Sequence, residues 1–455
     1  MPLISVNPAT GRVLRRHRAQ SARGAAAAAA RAGTAFRTWR RLDFAARARH
    51  LRAVAGVLRG ELEAHARLIT AEMGKPITQA RAEIGKCALV CDHYARHAAS
   101  LLADERPPGS PAGSFVTYQP LGPVLAVMPW NFPYWQVFRA AAPALMAGNP
   151  VLLKHASNVG GCARAIAAVF RRAGLPAGVF QTVLVGSDQV PALIRHPAIK
   201  AVTLTGSTEA GREVAALAGA ALKPCVLELG GSDPYVILAD ADLDLAAEVC
   251  ARARLVNSGQ SCIAAKRFIV VRAVRAAFER RLVARIAARR AGPPEDPATE
   301  VGPMARADLR AALHRQVRRS VRLGARLLLG GRPRPGPGWF YEPTVLTDVR
   351  PGMPAFDEEL FGPVAAVVPV ADAEAALAAA NNTPFGLGAA VFTRDRRRGR
   401  RLAATGLDAG LVFVNDSVRS DPTLPFGGIK DSGYGRELGP FGIREFVNIK
   451  TVVVA

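Results

Sequence analysis

From residue 21 to 105, Ala, Leu, Val and Ile recur at three- and four-residue steps with Arg and Glu between them, which predicts amphipathic helices. The Pro- and Gly-rich stretch DERPPGSPAG at 104–113 breaks that pattern and reads as a linker or the approach to a hairpin. From Gly122 onward short apolar runs alternate with helical patterns. PVLAVM leads to a helix over 135–147 and PVLLK to a helix over 161–173. TVLVG leads to a short helix over 190–194, and AVTLTGS to a helix over 209–221. Alternation of this kind predicts βαβ units and a parallel sheet. A second alternation begins after Gly231, with PYVILA, a helix to Val256, RFIVV and a helix to Ala291. TVLTDV, VAAVVPV, AAVFT and LVFVN follow as strands, and the β-branched tail VNIKTVVVA asks for a partner sheet.

The 455 residues predict two to three domains. Half are hydrophobic and 21% charged, which allows a large core and excludes intrinsic disorder. No apolar run is long enough to span a membrane, and the N-terminus lacks a secretory layout, so a cytoplasmic location is expected. The net charge of +24 first suggests nucleic acid. Yet only 8 of the 60 cations are lysines, and the arginines are spread along Ala-rich helical stretches without interleaved aromatics. They read as solvated helix faces, not as a stacking platform for bases. The six cysteines contain no C-x-x-C pair and the histidines no zinc spacing. Cys87, Cys91 and His93 fall on a helical apolar pattern, so core packing is expected there and no metal site.

Four segments combine reactive side chains with backbone-shaping residues. In NSGQSC (257–262), Cys262 follows a loop and fits either a thiolate nucleophile or a buried small residue. In LELGGSDP (227–234), Glu228 ends an apolar strand, where a carboxylate is functional or salt-bridged, and Gly230-Gly231 permit a close backbone approach. In MPWNFP (128–133), Asn131 is a rigid amide donor fit for an oxyanion or for capping the next helix. In TLTGSTEAG (203–211), a strand enters Gly206-Ser207 and then a helix, where amides can meet a pyrophosphate.

Each segment alone leaves its structural alternative open. Together with AGNPVLLK (147–154), EELFGPV (358–364) and PFGGIKDSGYGRE (425–437), they occur in the order seen in the NAD(P)-dependent aldehyde dehydrogenase superfamily. The resemblance runs from SVNPATG to the last strand. EMGKPITQARAEI, LLKHASNVGGCA and VLELGGSDPY are most similar to the short bacterial succinate-semialdehyde dehydrogenases.

The resemblance implies an α/β fold with a Rossmann-like cofactor domain (1–104 and 122–230) and an α/β catalytic domain (231–424). A β oligomerisation arm and C-terminal segment (105–121 and 425–455) would make a homodimer or homotetramer. It implies oxidation of an aldehyde to a carboxylic acid, most similar to succinate semialdehyde to succinate, with another aliphatic or aromatic aldehyde as the alternative. Cys262 would be the nucleophile, Glu228 the general base and Asn131, with the Cys262 amide, the oxyanion donor. Trp130, Lys154, Ser157, Gly206, Ser207, Glu359 and Phe361 would bind NAD or NADP. Ser157 stands where many NAD-preferring relatives carry a glutamate, so a 2′-phosphate meets no repulsion. Arg139, eight residues after Asn131, would hold a distal carboxylate, with Ser420 adding a hydrogen bond. The chain departs from the pattern at Val256 and Thr423, where relatives carry arginine; Arg254 or Arg419 are the expected substitutes.

Overall fold

The computed structural model describes residues 3–454. Two sheets organise it. In the first the order is Phe180–Val183, Val151–His155, Val124–Met128, Ala201–Thr205, Cys225–Glu228 and Gly433–Tyr434. The first five run parallel, and the last pairs antiparallel with Cys225–Glu228. The chain winds outward from Val124–Met128 to one edge, then returns to fill the other. The reversal falls between Val124–Met128 and Ala201–Thr205, which opens a crevice beyond their carboxyl ends.

Period-two alternation puts Val124, Ala126 and Met128 against one layer of helices and Leu125 against another. Helices Phe44–Gly60, Ile77–Leu101, Trp135–Ala147 and Gly160–Arg172 cover the first face. Ala22–Trp39, Val190–Arg195 and Thr208–Ala220 cover the second. Strands buried on both faces need continuous apolar runs, as in VLAVM at 124–128. Cys87 and Cys91 are fully buried within Ile77–Leu101, as core residues.

The second sheet has the order Arg326–Leu329, Thr344–Thr347, Val364–Val370, Arg267–Val271, Pro234–Ile237, Gly388–Phe392 and Leu411–Val414. Only the Arg326–Leu329 edge pair is antiparallel. The segments that lead into Pro234, Arg267 and Val364 carry Gly231, Cys262 and Phe361. The amino edge of this sheet therefore meets the carboxyl edge of the first.

Ser114–Pro120 pairs antiparallel with Val447–Val453 as a separate two-stranded ribbon. The expected C-terminal segment 425–455 divides: Gly433–Tyr434 joins the first sheet, and only Val447–Val453 enters the arm. The reason is Glu228, whose strand needs an edge partner to satisfy its backbone. Asn149, fully buried, fastens this return: its amide nitrogen donates to the Phe446 carbonyl at 2.8 Å and its oxygen accepts from the Gly122 amide at 2.9 Å.

Removing that side chain leaves two buried backbone groups unpaired. Asn149→Ala is expected to cost about 2–6 kcal/mol, from roughly 1–3 kcal/mol for each of the two orphaned groups. The check is the midpoint of urea unfolding followed by circular dichroism; an unchanged midpoint would show that the Asn149 bridge carries no load.

Candidate active site

Helix Trp135–Ala147 begins beside the crevice because its first amides are capped from outside. Glu83 Oε1 accepts from the Tyr134 and Trp135 amides at 2.8 and 3.0 Å, and Glu83 is itself ion-paired with buried Lys75. This fixes Asn131 before the helix and Arg139 within it. The Asn131 side-chain amide donates to the Gln260 carbonyl at 3.1 Å. In return, the Asn257 side-chain amide donates to the Asn131 carbonyl at 2.7 Å and to the Gln260 carbonyl at 3.1 Å.

The loop before Cys262 is unusual backbone. Asn257, Ser258 and Gly259 all have positive φ, at 52°, 56° and 76°. Such a run persists only where the surroundings over-determine it. Here Gln79 Oε1 accepts from the Asn257 amide at 2.7 Å, Ser258 Oγ from the Gly302 amide at 2.9 Å, and Gln260 Oε1 from the Ala305 amide at 2.8 Å. A methyl group at 259 would run into the Gly362 carbonyl. Beyond the loop, buried Lys266 donates to the Ser261 and Cys262 carbonyls at 3.0 and 2.7 Å and pairs with Glu359 at 3.1 Å.

Two cavities meet at Cys262 and Gln136. One, of about 260 Å³, is lined by Trp130, Asn131, Gly206, Ser207, Glu359 and Phe361, among others, at the sheet's switch point. The other, of about 350 Å³, holds Arg139 and Ser420 against Phe132, Trp135, Val256 and Phe426. Trp130 and Phe361 meet edge to face at 5.8 Å. Ser207 caps helix Thr208–Ala220 by accepting from the Ala210 amide at 3.2 Å. Lys154 and Ser157 lie outside the smaller cavity, at the carboxyl end of the adjacent strand; Lys154 is half-buried and Ser157 exposed. Gly230 and Gly231 are the expected close approach. A Cβ at 230 would come within 2.6 Å of Glu359 Oε2, and one at 231 within 2.9 Å of the Cys262 carbonyl.

Glu228 is 2% exposed and lines neither cavity, and neither of its oxygens has a hydrogen-bond partner. Burial holds its carboxyl well above the usual range, against the pull of Arg139 and with a push from Glu437. Burial also pushes the Cys262 thiol up to about 12; Arg139 and Lys266 oppose this, and Glu359 and Glu228 add to it. Arg139 is buried and largely committed. Its Nε pairs with Glu437, its Nη2 donates to Thr205 Oγ1 at 3.3 Å, and its guanidinium lies 4.5 Å over the Phe426 ring.

The two substitutes expected for the missing arginines fare differently. Arg254 is fully buried with Nη2 donating to the Gly259 carbonyl at 2.6 Å, so it braces the loop before Cys262 and does not line the cavity. Arg419 lines the cavity but is exposed and paired with Asp416. Asn257, Gln260 and Lys266 were not singled out from the sequence. The signal for the first two was present in NSGQSC, where two side-chain amides flank a glycine.

The arrangement is a sulfur placed between a crevice for a dinucleotide and a mostly apolar pocket, with an unpartnered carboxyl group behind it. Such a placement suits chemistry that begins at the sulfur. The aldehyde dehydrogenase family model matches residues 2–452, and the chain belongs to that family. It is 50% identical over 449 residues to the succinate semialdehyde dehydrogenase [NAD(P)+] Sad of Escherichia coli, covering 99% of this chain and 97% of that one. It is 49% identical over 458 residues to succinate-semialdehyde dehydrogenase [NADP(+)] 1 of Mycobacterium tuberculosis, covering all of both chains. Among solved structures, succinic semialdehyde dehydrogenase from Streptococcus pyogenes in complex with NADP+ superposes with a TM-score of 0.96 at 36% identity, covering 99% of each chain.

Since burial favours the neutral thiol, Cys262 of the free enzyme should be alkylated by iodoacetamide about tenfold faster per pH unit from 7 to 10, as the thiolate fraction grows. Mass spectrometry of the adduct measures it. A plateau below pH 9 would mean that the thiolate is already formed in the resting site.

Proposed function

We propose that this chain oxidises succinate semialdehyde to succinate with NADP or NAD as hydride acceptor. The observation that carries the reading is the single sulfur shared by the two cavities. The fit for a dinucleotide rests on the switch-point crevice, on helix Thr208–Ala220 opening at Gly206-Ser207, and on Glu359 held by Lys266 and by the Gly231 amide at 3.2 Å. When bound, the dinucleotide supplies a hydride acceptor. Glu359, Phe361 and Trp130 would hold its nicotinamide end, Gly206 and Ser207 its phosphates, and Lys154 and Ser157 its adenosine end. With serine at 157 and no carboxylate, a 2′-phosphate is tolerated.

In the chemical step Cys262 Sγ attacks the aldehyde carbon and its proton passes to Glu228, directly or through water. The second Asn131 amide hydrogen and the Cys262 backbone N–H stabilise the oxyanion. After oxidation the acyl group is a thioester on Cys262. Glu228 passes the thiol's proton on to solvent and, as carboxylate again, draws a proton from the water that cleaves the thioester. In the substrate pocket, Arg139 and Ser420 face the distal end of the aldehyde. A second reading, another aliphatic or aromatic aldehyde, draws on the apolar walls Phe132, Trp135 and Phe426 and on valine at 256.

The arm Ser114–Pro120 with Val447–Val453 supports a homodimer or homotetramer. A two-stranded ribbon is too small to bury itself, and Ile449 and Val453 are 63% and 62% exposed. The cysteines are all free thiols, as suits a reducing cytoplasmic site of action.

An aldehyde panel with NAD and NADP in parallel tests the reading: kcat/KM should be highest for succinate semialdehyde, and equal values for butyraldehyde would move it to the second reading. Glu228→Gln should lower steady-state kcat by about 10²–10⁴-fold, the usual worth of a general base, while leaving a burst of reduced dinucleotide equal to the enzyme concentration. An unchanged kcat would remove Glu228 from thioester hydrolysis, and loss of the burst would show that its role lies in the attack of Cys262.

A further inference from the structure

The larger cavity contains a cation that the sequence motifs do not mark. Lys86, half-buried on helix Ile77–Leu101, lines it together with Arg139, Cys262 and Ser420. Its ammonium donates to the Ser420 carbonyl and to Ser420 Oγ, both at 2.7 Å, and lies 4.2 Å from the centroid of the Trp135 ring. No carboxylate forms an ion pair with it among the described residues. The other cations of the pocket are differently placed. Arg139 is tied to Glu437, and Arg252 and Arg419 stand exposed beside Asp416.

We propose that Lys86, together with Ser420, holds the distal carboxylate of the substrate, supplying the charge that is missing at positions 256 and 423. The inference rests on the semialdehyde reading above. An ammonium has three donors, and two are engaged by Ser420, so one remains for an incoming oxygen. Because Ser420 Oγ accepts from Lys86, its own hydrogen is free to be donated to the same carboxylate. The Trp135 face keeps the ammonium from water on one side, which strengthens a charge-assisted bond there. Arg139 then contributes its field and its remaining nitrogen while staying paired with Glu437.

The same placement makes substrate binding sensitive to pH. Burial and, after it, Arg139 across the cavity bring the Lys86 ammonium down to about 8, with Cys87, Asp421 and Glu83 opposing. Exposed Arg252 and Arg419 at the cavity and the Cys262 thiol complete the titratable and charged groups around the pocket. The positive charge is therefore complete well below pH 8 and is lost as pH rises through it.

The test compares wild type, Lys86→Met and Lys86→Arg of the whole enzyme on succinate semialdehyde and butyraldehyde with NADP. In Lys86→Met the ratio of kcat/KM for the two aldehydes should fall about ten- to a hundredfold, the worth of a hydrogen bond to a charged group. The loss should lie mainly in KM for the acid. In wild type that KM should climb above about pH 8 with no matching climb for butyraldehyde, and Lys86→Arg, which stays charged, should flatten the climb. If wild type prefers the acid and Lys86→Met keeps the preference, the inference falls alone. It falls too if both aldehydes suffer equally, since Lys86 would then only shape the wall. If wild type shows no preference, the substrate reading falls and this inference with it.

Discussion

The site depends on one buried ammonium. Lys266 sits where the edges of two sheets meet and grips the carbonyls of Ser261 and Cys262 and the carboxylate of Glu359. Each of these groups belongs to a different requirement: the carbonyls fix the backbone that carries the sulfur, and the carboxylate borders the smaller cavity. A charge so deeply buried is tolerable only if it is fully partnered. The partners are thereby held at fixed distances from one another. The glycines at 230 and 231 serve the same meeting from the opposite side, because any side chain there would push Glu359 or Cys262 away.

Around this point the chain places charges whose solvation is deliberately poor. Glu228 is buried without a protein hydrogen-bond partner among the described residues, and Arg139 shares its field between Glu228, Glu437 and Cys262. Once its own proton has left, the Glu228 carboxylate can take the thiol's proton with no change in net charge, and burial raises its affinity for that proton. That lowers the reorganisation an attack on a carbonyl would demand.

Much of this could be read along the chain. The alternation of apolar runs and helical stretches after Gly122 located the parallel strands, and Cys262, Glu228, Asn131 and Glu359 stand in motifs dense with glycine, proline and amides. The N-terminal hairpin Leu3–Val6 with Val13–His17 could not be read, because VLRRH is exposed at four of its five positions and has no apolar face. The edge strand Arg326–Leu329 is similarly half-exposed. Lys86 was hidden for another reason. Its partner Ser420 lies 334 positions away, and a lone lysine on a helix carries no local mark of its destination.

The division between the two kinds of cation has a wider consequence. Arginine dominates the outside, joined there by Lys200, Lys430 and Lys450, with Arg47, Arg139, Arg254 and Arg267 buried, whereas burial lowers the ammonium groups of Lys75, Lys86, Lys154 and Lys223. A guanidinium keeps its proton through any alkaline buffer an enzyme meets, while a desolvated amine does not. The molecule's outer electrostatic coat is thus nearly constant between neutral and strongly basic solution, and what titrates is concentrated in the interior and at the recesses where ligands would arrive.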